Sequence, residues 1–189
     1  MRREMLPEAM REARASHVRL TSALDGLSDD QVAAASLLPG WTRGHLLTHI
    51  ARNADSHVRL LTAAAKGEKV EQYVGGAEGR AADIDAGATR SAAELVADLD
   101  QSAKRLFETW ERVVESTWDE EIVAIHGGQK AWVCVFSRWR ETEIHHVDLG
   151  LGYGADDWSP AFVRASLRDL VETFDDRLPS DVAVELVAT

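Results

Sequence analysis

Glu141 and His145 stand four residues apart in the stretch Arg138-Trp139-Arg140-Glu141-Thr142-Glu143-Ile144-His145-His146-Val147-Asp148. The apolar run Ala131-Trp132-Val133-Cys134-Val135-Phe136 leads into it with no Gly or Pro between. The pattern predicts one long helix from Ala131 to about Leu149. At 3.6 residues per turn, Cys134, Arg138, Glu141, His145 and Asp148 fall on one stripe. Trp132, Val133, Phe136, Trp139, Ile144 and Val147 cover most of the other sides, so the helix reads as buried. A buried carboxylate or imidazole must be paired, hydrogen-bonded or bound to a metal. One turn apart, Glu141 and His145 project together and could clasp one ion. The bland alternative is a hydrogen-bonded Glu–His pair and nothing more. Two ligands do not hold a metal, so a metal site needs a third from elsewhere in the chain.

His45, His49 and His57 are the candidates. All three lie on a helix predicted from Arg43 to about Lys66, with Thr42 as its N-cap. Leu46, Leu47, Ile50, Ala51, Ala54, Val58 and Leu61 form its apolar face. His49 and Asn53 flank that face, and His45 lies further round toward solvent. His57 is nearer the face centre and more than two turns beyond His49. Position favours His49, but spacing leaves the three open. A His, Glu and His set with an open position has the style of a catalytic zinc site. Asp148 reads either as an acceptor for a ligand imidazole or as a charge set unfavourably near a helix C-terminus. Trp41 and Trp139 read as core, Cys134 as a small buried hydrophobe, and His146 as a helix-surface neighbour of His145.

The elements that position these residues read as all-α. Pro7 suits the first turn of a helix to about Leu24. Ser28-Asp29-Asp30-Gln31 is a capping box opening a short helix to about Leu37. Ser91-Ala92-Ala93-Glu94 is another, followed by Leu95, Val96, Leu99, Leu106, Trp110 and Val113 at helical spacing. Residues 68–89, rich in Gly and Ala, read as a long functional loop with one helical turn near Ala81–Asp85, lying across one end of the molecule. Gly127-Gly128 reads as a turn. Ser159-Pro160 starts a last helix through Phe174. Four long helices, Pro7–Leu24, Arg43–Lys66, Ser91–Glu115 and Ala131–Leu149, predict an up-and-down four-helix bundle over residues 1–177 with antiparallel neighbours. Asp181 to Val187 alternates in strand fashion, so residues 178–189 read as a linker and the first strand of a second, α+β domain.

Composition narrows the function classes. With 189 residues, 45% of them hydrophobic, the chain can build a proper core. A formal net charge of −11 argues against binding a phosphate backbone. No apolar run reaches the ~18 residues that a membrane span requires. The N-terminus carries charges but no apolar core of a secretory signal, and the single cysteine permits no internal disulfide. A cytoplasmic protein, monomeric or homodimeric, fits this composition.

Leu38-Pro39-Gly40-Trp41-Thr42-Arg43-Gly44-His45-Leu46-Leu47-Thr48-His49-Ile50-Ala51-Arg52-Asn53-Ala54-Asp55 closely resembles the first motif of the mycothiol-dependent maleylpyruvate isomerase family, within the DinB-like metal-binding bundles. Glu141-Thr142-Glu143-Ile144-His145-His146-Val147-Asp148-Leu149-Gly150 resembles its second motif. Tyr73-Val74-Gly75-Gly76 with Arg80-Ala81-Ala82-Asp83-Ile84 looks like the family's loop, with Gln72-Tyr73-Val74 where the family often has Met-Tyr-Pro. The resemblance implies His49, Glu141 and His145 as ligands of zinc or another divalent ion. It implies a loop from Tyr73 to Arg80 that covers the open side of the metal, with Tyr73 and Arg80 contacting the thiol cofactor, mycothiol. It also implies a smaller C-terminal α+β domain, of which this chain holds only the first strand. The implied reaction converts maleylpyruvate to fumarylpyruvate by reversible thiol addition, rotation about the resulting single bond, and elimination. A mycothiol S-transferase acting on electrophiles would use the same site, and a metal-binding bundle that docks a protein partner is the non-catalytic alternative.

Overall fold

The computed structural model describes residues 3–125 and 127–172. Four long helices build its core: α1 (Leu6–Ala23), α3 (Arg43–Ala64), α5 (Ala92–Arg112) and α6 (Val133–Asp148). Thr42 and Ser91 cap α3 and α5, each within a capping box. The short α2 (Asp29–Ala33) has its capping box at Ser28 but ends before Leu37. Ala34 turns extended, and Ala35 bridges to Thr42. A further helix, α7 (Pro160–Glu172), follows α6. Gly127 and Gly128 do not form a turn. They open β2 (Gly127–Lys130), which pairs antiparallel with β1 (Glu121–Ala124). Only Ile122 of this hairpin is buried, so it lacks the alternation that marks a strand in sequence. The strand and second domain expected over residues 178–189 lie outside the described residues.

Two apolar clusters fill the bundle. One holds Leu6, Ala13, Leu60, Leu106, Trp110, Phe136, Trp139 and Phe162. The other holds Leu20, Leu24, Leu46, Leu47, Ile50, Leu95, Leu99 and Leu149. Between them each long helix contributes buried polar side chains, among them His17 on α1, Asn53 on α3, Ser102 on α5 and Arg138 on α6. The order of the clusters along each helix gives its direction. Helices α1 and α6 run one way, and α3 and α5 the other. The tightest pairs, α1 with α6 and α3 with α5, are therefore parallel, not antiparallel.

That order makes the segment from α3 to α5 return along the bundle, and residues 65–91 do so. Glu71 O accepts from Arg59 Nε, Gln72 donates to Ser56 Oγ, Arg80 reaches His49, and Gly87 lies against Thr48. The segment thus lies along α3, not across one end. Its 12 residues Gly76–Gly87 form a helix, α4, where a loop with one helical turn near Ala81–Asp85 was expected. Its glycines hid it, yet close packing requires two of the glycines at this crossing. A Cβ on Gly87 would stand 2.5 Å from Thr48 Cγ2 of α3, and one on Gly44 of α3 would stand 2.1 Å from Ala88 O. The crossover carries Tyr73 and Arg80 past the polar middle of the bundle.

Candidate metal centre

α3 sorts the three candidate histidines by their distance from its cap. His45 occupies the third helical position, and Thr42 N donates to its Nδ1 at 3.2 Å. The imidazole does there what Glu or Gln does in an ordinary capping box, and is committed to the helix end. One turn on, His49 is buried and faces α6. Two further turns down, His57 is 1% exposed and separate from the cluster. Burial, and then the Arg138 charge, push its pKa down to about 4, so it is neutral.

His49 Nε2 lies 2.9 Å from Glu141 Oε2 and 3.1 Å from His145 Nε2, and His145 Nε2 lies 3.2 Å from the same Glu141 oxygen. The three donor atoms thus form a nearly equilateral triangle. Three bonds of ~2.0–2.1 Å in tetrahedral directions would set such atoms ~3.3 Å apart. Two imidazole nitrogens facing each other at 3.1 Å cannot both carry protons without repulsion. The donor set and spacing therefore fit a divalent ion. Among the described residues, this is the group of His, Cys, Asp and Glu side chains that could hold one. Asp148 Oδ2 takes the hydrogen bond of His145 Nδ1 at 2.8 Å, fixing that ring with Nε2 toward the site. Trp41 is only partly buried and stands edge-on to His49, with ring centroids 5.6 Å apart.

The charges are coupled. Burial opposes ionisation of Glu141, but hydrogen bonds from His145 and His49 outweigh it and hold the carboxyl far below its usual range. Burial also opposes a charge on His145, and Glu141 and Asp148 overcome it and raise its pKa. Burial lowers that of His49, against the pull of Glu141. Arg80 Nη2 stands 3.1 Å from His49 Nδ1. A guanidinium only donates, so this contact needs an unprotonated Nδ1 and leaves the proton on Nε2. A metal on Nε2 would reverse that tautomer, and Arg80 would then lose the contact.

Beside the triangle opens a cleft of about 390 Å³. Tyr73 and Arg80 from the crossover, Gln129 from the hairpin, and Phe136, Arg140 and Glu141 from α6 line it. His57 and Asn53 form part of its lining as well. Tyr73 and Arg80 come together there, the guanidinium 5.8 Å from the ring centroid. Sequence reading missed Arg140 and Gln129. Arg140 was legible as the neighbour of Glu141, whereas nothing in the sequence ties Gln129 to the site. It also misplaced the outer sides of α6. Ile144 is exposed, while Glu143 and His146 are buried, paired with Arg19 and stacked on Tyr153 respectively. Cys134 is fully buried, and desolvation pushes its pKa up to about 12, so it is no nucleophile.

Comparison with known proteins identifies a family and a shared fold. The family model described as the mycothiol maleylpyruvate isomerase N-terminal domain matches residues 13–150. A crystal structure of the mycothiol-dependent maleylpyruvate isomerase superposes with a TM-score of 0.82 at 30% identity, over 87% of this chain and 69% of that one. A histidine-to-alanine mutant of that enzyme gives the same TM-score of 0.82 and 30% identity. No curated protein sequence matches.

Proposed function

The chain belongs to the family of the mycothiol maleylpyruvate isomerase N-terminal domain, and on that premise we propose that it is a zinc-dependent, thiol-dependent cis–trans isomerase converting maleylpyruvate to fumarylpyruvate with mycothiol as the thiol. The observation that carries this reading is the near-equilateral donor triangle opening onto a cleft flanked by Arg80 and Arg140. When bound, the ion would supply Lewis acidity there, lowering the pKa of a thiol or polarising a substrate oxygen. His49, Glu141 and His145 would hold it, with Asp148 keeping the His145 ring in register. Arg80, released from His49, and Arg140 receive anionic groups of thiol and substrate, with the Tyr73 ring beneath Arg80. Val133, Phe136 and Ile125 give the cleft apolar wall and restrict water.

The test is an assay of the zinc-loaded chain with maleylpyruvate, with and without mycothiol, beside a simple alkyl halide electrophile. The expected result is isomerisation that requires the thiol and disappears in His49→Ala. Conjugation of the electrophile without isomerisation would make the protein an S-transferase on the same site. No thiol-dependent turnover of either compound would leave a metal-binding bundle and overturn the enzymatic reading.

A further inference from the structure

Arg138 sits on α6 one turn before Glu141 and is 1% exposed. Its Nη1 donates to Ile50 O at 2.7 Å and to Asn53 Oδ1 at 3.2 Å. Both acceptors are on α3, and Ile50 directly follows His49. Among the described residues its Nε and Nη2 have no hydrogen-bond partner. Burial lowers its pKa to about 10, against the pull of Glu141, so the group is charged at neutral pH. A buried cation without a hydrogen-bonded carboxylate is a poor source of stability, and an apolar side chain of similar size often serves folding as well or better. Its placement gives it another task. Helix α6 packs chiefly on α1, and α3 chiefly on α5. The α3–α6 side, which the three metal ligands straddle, is less tightly packed, and Arg138 bridges it beside the ligands.

We propose that Arg138 is a positioning residue for the metal trio. Its guanidinium spans from α6 to α3 and sets the height and separation of His49 relative to Glu141 and His145. The Asn53 contact steers the same nitrogen, so the bridge fixes orientation as well as distance. This inference rests on the metal reading above.

The test compares the wild-type chain with Arg138→Met, Arg138→Lys and Arg19→Met. Arg19 pairs with buried Glu143 and ties α1, not α3, to α6, so Arg19→Met controls for general loosening of the bundle. Helical circular dichroism reports folding. Cobalt(II) titration gives the affinity and a visible spectrum sensitive to ligand geometry. Arg138→Met is expected to keep its helical signal, bind cobalt about 10–100-fold more weakly, the range for groups that orient metal ligands, and shift the visible band. Arg138→Lys keeps the charge but offers no planar fork, and is expected to weaken binding less and to shift the band too. Arg19→Met should change neither affinity nor band. Were Arg138 to act only through its charge, removing it would tighten binding of a dication. Unchanged or tighter binding in folded Arg138→Met therefore overturns the proposal. Should that variant fail to fold, wild-type affinity and band in Arg138→Lys overturn it. A wild-type chain that binds no cobalt would remove the metal reading and this inference with it.

Discussion

His49→Ala and His45→Ala should separate under metal in a thermal melt, by an amount that follows from the site. A ligand that binds only the folded state stabilises it by ~2.7 kcal/mol at a free concentration a hundredfold above Kd. For a chain of 150–250 residues, each kcal/mol moves Tm by about 2–4 °C. Zinc at that excess should thus raise the wild-type Tm by about 5–11 °C. His49 supplies one corner of the triangle, 2.9 Å from Glu141 Oε2 and 3.1 Å from His145 Nε2. Its removal leaves two ligands, and the zinc-induced shift should vanish while most helical signal stays. His45 instead accepts from Thr42 N at 3.2 Å in the helix cap. His45→Ala should lower stability in both states by ~0.5–1.5 kcal/mol, the net worth of one hydrogen bond, and leave the zinc-induced increment intact. Differential scanning calorimetry with metal analysis of the purified variants reads both quantities. A full increment in His49→Ala, or none in His45→Ala, would mean that the wrong histidine had been assigned. No increment in the wild type would reduce the trio to a hydrogen-bonded cluster.

Arg80→Met should retain zinc binding and lose thiol-dependent turnover mainly through KM, by roughly 10–100-fold, the loss of one charge-assisted hydrogen bond. An unchanged KM for both thiol and substrate would remove Arg80 from the binding site. Burial lowers the pKa of His17 to about 3 and that of His57 to about 4, below the unfolded value near 6.5, with Arg138 adding to both shifts. The neutral forms are the folded ones, so their contribution is complete above about pH 6.5 and declines as the pH falls toward 4. Each should steepen the loss by up to ~1.4 kcal/mol per pH unit in urea unfolding of the metal-free protein, and His17→Gln should remove about half of that steepness. Cys134 should resist thiol reagents in the native protein and react on unfolding, and labelling at the native rate of a free thiol would contradict its burial.

How much of this was legible depended on where the information sits. Caps and stripes are local, so α3, α5 and α6 could be read from Thr42, Ser91 and the Glu141 stretch. Direction is not local. An apolar stripe pointing up looks the same pointing down, and the parallel α1–α6 and α3–α5 pairs were invisible for that reason. The long 65–91 connection was the clue, because a chain that must return the length of a bundle needs such a segment. Helix α4 was obscured because Gly79 and Gly87 lower helix propensity, while the reason for Gly87, contact with Thr48 of α3, is tertiary. The choice among His45, His49 and His57 was closer to hand than spacing alone suggests. A histidine three residues after a Thr N-cap can serve as a capping-box acceptor, which would have set His45 aside. The polar middle of the core is also written in the chain. On α1, Leu6, Ala9 and Ala13 are followed at the next turn by His17 before Leu20 and Leu24 resume.

The single cysteine fixes where the reacting sulfur must come from. Cys134 lies on the same helix as Glu141, about two turns away, near enough in sequence to suggest a protein nucleophile. It is fully buried in the apolar cluster with Phe136 and Trp139, and its pKa is pushed up to about 12. A thiolate there would be desolvated among apolar side chains. Any thiol chemistry at the triangle therefore needs a thiol from outside, and the cleft must admit a second molecule beside the substrate. The charge pattern suits that need. The chain as a whole carries a formal charge of −11, which repels small anions, yet Arg80 and Arg140 line the cleft. Glu141 and Asp169 line it too, and Asp169 Oδ2 stands 3.8 Å from Arg140 Nη1, so the field there would turn positive once a dication joined the triangle, and would then draw anionic groups to one place. On this argument substrate capture by the wild type should weaken as salt rises, and Arg140→Met should flatten that dependence in kcat/KM. An unchanged salt slope in Arg140→Met would show that the arginine does not gather the anion.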